Sequence, residues 1–67
     1  MYQITKAMAD ELYEYFKRTC ESHTFFEELI DRGARHVEMI WDHGKIEVKA
    51  IINHELVAYE FKPYDSY

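Results

Sequence analysis

The chain has 67 residues, 48% of them hydrophobic, and its eight Lys and Arg against thirteen Asp and Glu give a formal net charge of −5. That length holds one domain, residues 1–67, and that apolar fraction excludes a disordered chain. No apolar run approaches the roughly 20 residues of a membrane-spanning helix, and the first residues lack the basic-then-apolar order of a signal peptide.

One cysteine forms no internal disulfide. A cytoplasmic protein is therefore expected, and the acidic balance argues against direct nucleic-acid binding, which Lys and Arg drive by neutralising phosphates. Domains this small often need support beyond their core, from a disulfide, a metal or a partner. With the disulfide excluded, the 16% of aromatic residues supply area, at ~150–250 Å² per ring, and a second copy or a target protein is the next candidate.

In chain order, Thr5 to Cys20 reads as a helix with an apolar stripe of Met8, Leu12, Phe16 and Cys20, flanked by Ala9 and Tyr15. Lys6–Asp10 and Glu14–Arg18 are spaced to pair on the exposed face. The pattern stops at Cys20-Glu21-Ser22-His23. Thr24 then opens a second, short helix, since Thr24 and Glu27 fit a capping box; Phe25, Phe26, Leu29 and Ile30 form its apolar face, and Gly33 suits the left-handed position after its end.

The second half alternates three times with the period of a strand. Val37, Met39 and Trp41 share one face, as do Ile46, Val48, Ala50 and Ile52, and then Val57, Tyr59 and Phe61. His43-Gly44 and His54-Glu55 are the expected turn centres. The first hairpin then pairs Asp42 with Lys45, Trp41 with Ile46, Met39 with Val48 and Val37 with Ala50. The second pairs Asn53 with Leu56, Ile52 with Val57, Ala50 with Tyr59 and Val48 with Phe61. On the other face Glu38 meets Lys49, Lys49 meets Glu60 and Glu47 meets Lys62, so one apolar and one charge-paired face emerge together. The expected architecture is α+β, ααβββ in two layers: two N-terminal helices packed on one face of a three-stranded antiparallel β-meander. A short extended segment at Met1–Ile4 is a lesser expectation.

Chemistry-bearing residues are scattered. His23, His36, His43 and His54 make no local ligand pair; a site joining His23, His36 and His54 at one end of the sheet is weighed against turn histidines in water, and no metal or cofactor is expected. Cys20, three residues before His23, continues the core stripe and reads as a small buried hydrophobe rather than a nucleophile. Gly33 and Gly44 stand alone, so no phosphate-cradling loop is present. Lys45, Lys49 and Lys62 are each matched by an acid, unlike a base-stacking RNA-binding sheet.

Carboxylates crowd the helical half, with Asp10, Glu14, Glu28 and Asp31 the candidates for meeting a basic partner. Six tyrosines are the most unusual feature. Tyr59 has a place on the inner sheet face and Tyr15 at the core edge. Tyr2, Tyr13, Tyr64 and Tyr67 lack an obvious buried position, and exposed tyrosine is a preferred interface residue; Tyr13, Tyr64 and Tyr67 join the candidate partner-binding set. Ile40 and Ile51, beside Ala58, form a small apolar spot on the outer face.

In composition the chain resembles the small accessory proteins that bacteriophages and mobile elements encode to bind and inhibit host enzymes, anti-CRISPR and other anti-defence proteins among them. That likeness spans no alignable stretch and carries no residue across. It implies a non-enzymatic protein-binding module, an inhibitor or modulator of a host protein such as a nucleic-acid-processing enzyme. The alternative is a self-associating structural or regulatory dimer.

Overall fold

The computed structural model describes residues 4–62. It runs α1 (Lys6–Thr19), α2 (Ser22–Asp31), β1 (Arg35–Asp42), β2 (Lys45–Ile52) and β3 (Glu55–Phe61). The strands form one open antiparallel sheet in the order β1-β2-β3. This is the α+β order expected, with the helices over one sheet face.

Helix α1 starts where the Thr5 hydroxyl accepts the Met8 N–H at 3.2 Å. It stops at Cys20, left-handed at φ 57. There the Cys20 N–H donates to the Phe16-Lys17 turn at Lys17 O, 3.3 Å, and the Glu21 N–H to Phe16 O, 3.1 Å. This pair of bonds closes the helix as a Schellman motif. The buried side is Ala9 and Phe16 with half-buried Leu12 and Tyr13. Two expectations fail here: Cys20 is exposed, because it lies past the last helical turn, and Tyr15 is 64% exposed rather than at the core edge.

Helix α2 begins at Ser22, two residues before Thr24, and has no side-chain cap. A capping box at Thr24 requires that residue to be extended. Here the Phe25 N–H already donates to Glu21 O at 3.1 Å, so Thr24 is inside the first turn. Glu27 instead meets His23 Nε2 at 3.0 Å. The other end is as expected. Gly33 takes φ 98, its N–H donates to Ile30 O at 3.1 Å, and the Ala34 N–H donates to Leu29 O at 2.9 Å. Ile4 is buried and its N–H donates to Arg32 O at 2.9 Å, tying the residue before the Thr5 cap to this turn. The extended segment considered at Met1–Ile4 otherwise lies outside the described residues.

The first hairpin has the expected register from Asp42↔Lys45 through Trp41↔Ile46 and Met39↔Val48 to Glu38↔Lys49. Beyond Glu38 a bulge interrupts it, with His36 at φ 51, so Arg35 falls opposite Ile51 and the expected Val37–Ala50 rung is lost. The second hairpin is two residues out of the expected register. Ile52 pairs with Glu55, and the turn is Asn53-His54, at φ 54 and 66. A type I′ turn needs left-handed residues at both centres, and asparagine accepts that conformation more readily than glutamate. Shifting by two keeps every side chain on its face, so the inner apolar face survives while the charge pairs change. Glu47 lies opposite Glu60 and Lys49 opposite Ala58, in place of the Glu47–Lys62 and Lys49–Glu60 pairs expected.

The core lies between the helices and the inner sheet face, where Phe25, Leu29, Val48, Ile52 and Phe61 are at most 2% exposed. Trp41 shares that face but is 64% exposed. It sits on an edge strand next to the turn. Helix α2, at ~1.5 Å per residue, is about 15 Å long, while an eight-residue strand at ~3.4 Å per residue runs about 27 Å, so the helix leaves one end of the hairpin uncovered. Among the described residues no helix is long and apolar enough to cross a membrane.

Candidate interaction surfaces

The acidic candidates on the helices mostly have partners within the chain. Asp10 Oδ1 accepts the Tyr59 hydroxyl at 2.8 Å, and Asp10 Oδ2 lies 3.3 Å from Lys6 Nζ. The Tyr59 hydrogen bond, with help from Lys6, holds the Asp10 carboxyl below its usual range. Glu28 Oε1 accepts from Arg32 Nε at 3.0 Å. Glu14 stands 3.9 Å from Lys17 Nζ. Asp31, exposed at the end of α2, has no ion pair among the described residues.

Tyr13 is not the unburied ring that the sequence suggests. It is half-buried, tilted against Tyr59 with ring centroids 4.8 Å apart and edge-on to Phe61 at 5.3 Å, and its hydroxyl donates to Glu60 O at 2.7 Å. Together with Phe25 and Tyr59 it forms the aromatic joint between α1 and β3. Burial pushes the hydroxyl pKa of Tyr13 up, and burial with the Asp10 hydrogen bond pushes that of Tyr59 up much further. Tyr2, Tyr64 and Tyr67 lie outside the described residues.

The outer sheet face carries two of the exposed large apolar side chains, while Tyr15, Ile30 and Trp41 are exposed elsewhere. Leu56, 69% exposed, lies directly opposite Ile51, and Ala58 follows on the same face; Ile40, 36% exposed, stands two rungs away beyond Glu38 and Lys49. The expected spot of Ile40, Ile51 and Ala58 therefore exists in altered form, with Leu56 as its largest member. The two-residue shift of β3 puts Leu56 against Ile51, and without that register its position could not be read. Around this centre run Arg35, Glu38, Glu47 and Lys49. Lys45 Nζ bridges to Glu60 Oε2 at 2.9 Å, which raises the lysine pKa and lowers that of the glutamate. This diagonal contact offsets the facing pair Glu47 and Glu60.

Two shallow depressions lie on the surface of the described residues. One, of about 450 Å³, is lined by Tyr13, Lys17, Arg18, Cys20, Glu60 and Lys62, so the cations at the end of α1 gather beside the exposed thiol. The other, of about 250 Å³, is lined by Ile4, Gly33, Arg35, Ile51, Ile52, Asn53 and His54. His43 Nδ1 lies 2.7 Å from Asp42 Oδ1. Among the described residues no three His, Cys, Asp or Glu side chains come together as metal ligands.

No protein-family model, curated protein or solved structure matches this chain.

Proposed function

We propose that the chain is a small non-enzymatic protein-binding module that modulates a partner protein, and that it grips this partner with the outer face of its sheet. The carrying observation is Leu56, 69% exposed and set against Ile51 and Ala58 on a face that no described element covers. An apolar centre inside a rim of both charge signs is the anatomy of a protein-binding patch. The partner of matching chemistry presents apolar side chains within mixed charge. Inhibition of a nucleic-acid-processing enzyme through an acidic helical surface is the other form of this reading. It has less support, because Asp10 and Glu28 are held by Tyr59 and Arg32 and Glu14 lies near Lys17.

The test is affinity capture from lysate of the source cell at low and high salt, with wild type, Leu56→Lys and the pair Asp31→Asn with Glu14→Gln. A stoichiometric partner held at high salt and lost with Leu56→Lys is expected. Capture abolished by salt and by the acidic pair, but indifferent to Leu56→Lys, would move the interface to the helices.

A further inference from the structure

The two edges of the sheet are unlike. In a hairpin closed by a two-residue turn, the closing pair exchanges both backbone bonds, and successive pairs then alternate between bonded and outward-facing. Counting from Ile52↔Glu55 puts Glu60 in an outward-facing pair on β3. Its carbonyl is the one that accepts the Tyr13 hydroxyl at 2.7 Å, so a side chain of α1 covers the Glu60 end of that edge. Counting from Asp42↔Lys45 puts Met39 and Trp41 in outward-facing pairs on β1. Among the described residues nothing bonds their N–H or C=O groups. The Trp41 side chain beside them is 64% exposed. An open edge of this kind is a template for another strand.

We propose that the β1 edge binds a second copy of this chain, strand against strand and antiparallel, in a register centred on Met39. The two meanders join into one continuous antiparallel sheet about a two-fold axis. The charge pattern of β1 selects this occupant. Arg35 and His36 stand at its start and Asp42 at its end, and antiparallel self-pairing lays the basic start of each copy beside the acidic end of the other. In this register the outward-facing backbone of Met39 meets its own copy and exchanges both bonds. Trp41 lies opposite Val37 on the helix-covered face, where a half-buried valine receives the exposed indole. A register centred one residue later, on Ile40, sets Glu38 against Asp42, two like charges. The stretch from Glu38 to Asp42 is in regular register, and the bulge between Arg35 and Glu38 takes in Val37 and His36, which this pairing sets beside Trp41 and Asp42. The dimer goes beyond the partner-binding reading and is independent of Leu56, which lies on β3 at the far side of each meander.

Sedimentation equilibrium of the full chain over about three decades of concentration reads the dimer by mass action. The mass is expected to rise from one chain to two, and the emission of Trp41, the single tryptophan, to shift to the blue in parallel. Two variants locate the interface: Trp41→Lys, which adds an edge-blocking charge, and a synthetic chain N-methylated at Met39, which deletes one outward donor and keeps every side chain. Each is expected to weaken dimerisation at least tenfold and to retain the far-ultraviolet circular dichroism of the monomer. A one-chain mass at every concentration overturns the proposal. So does a dimer that survives both variants. Loss of partner capture in Leu56→Lys with dimerisation intact would separate the two surfaces and leave this one standing.

Discussion

The Asn53-His54 turn gives the sharpest check on the register of β3. His54 holds φ 66, a conformation that costs a residue with a Cβ roughly 1–2 kcal/mol, at the low end for histidine. Glycine removes that cost but brings about 0.5–1 kcal/mol of extra chain freedom to be lost on folding. His54→Gly therefore gains at most about 0.5 kcal/mol, a rise in Tm of no more than roughly 2–4 °C for a domain of this size. That variant alone does not separate the registers, because a His54-Glu55 turn would also welcome glycine at position 54. Glu55→Gly separates them. In the structure Glu55 pairs with Ile52 as the first residue of β3, so glycine there weakens a strand by about 0.5–1 kcal/mol and lowers Tm by roughly 2–8 °C. In the alternative register Glu55 would be the second turn residue, and glycine would stabilise. Thermal melts followed by circular dichroism at one protein concentration read both. A higher Tm for Glu55→Gly would refute the register, and with it the placing of Leu56 opposite Ile51.

Other perturbations test separate features. Tyr59→Phe removes a hydrogen bond to a carboxylate whose side chain is 51% exposed, so about 1 kcal/mol is expected at neutral pH after allowing for solvent screening. Since the folded protein holds the Asp10 carboxyl below its ordinary 3.8, that contribution is complete above this value and disappears as pH falls through the lower folded one. Urea melts of wild type and variant should converge in acid. In alkali the sign reverses: the Tyr59 pKa is raised above its ordinary 10.0, so wild type loses stability as pH climbs past that value, and Tyr59→Phe loses less. Cys20→Gly relieves a left-handed residue at φ 57 and should raise Tm by a few degrees; a lower Tm would mean that the thiol's 4.0 Å approach to Lys62 O matters more than the backbone. Glu47→Lys replaces one of two facing carboxylates and should raise Tm at low salt, an advantage that fades in high salt.

Much of the fold was legible because strand faces and hairpin closures are local properties. His43-Gly44 names its own turn, and Glu38 and Lys49 fit the register it sets. The second turn was harder. A slip of two residues leaves the buried faces unchanged, so apolar alternation says nothing about it, and only the charge pairs and the turn conformation discriminate. The charge pairs favoured the wrong answer, Glu47 with Lys62. Exposed cross-strand ion pairs are worth only a fraction of a kcal/mol, less than the cost of forcing glutamate into a left-handed turn position. The turn wins, and Glu47 is left facing Glu60, with Lys45 at 2.9 Å from Glu60 as its compensation.

The candidate site was less legible, for a reason visible in α1. A strict four-residue spacing overshoots the 3.6-residue turn by about 40° per step, so a stripe of Met8, Leu12, Phe16 and Cys20 winds about 120° around the helix. The face that stays against the sheet is instead Ala9, Leu12, Tyr13 and Phe16, spaced by three, four and seven. That brings Tyr13 inward, onto β3 at Glu60, whereas Cys20 falls along the same face and is exposed because it lies past the last helical turn. The tyrosine surplus therefore marks, at Tyr13 and Tyr59, an internal joint whose polar tips end on Glu60 and Asp10. Trp41 is the complementary case. Parity assigns it to the inner face, but parity cannot say how far a ten-residue helix reaches along an eight-residue strand. Coverage is a property of the packed whole, and where it ends the chain presents its largest side chain beside unpaired backbone. Were Trp41 merely an uncovered core residue, replacing it with lysine would cost little and change nothing but solubility. If it lies at an interface, the same substitution separates the copies while leaving each one folded.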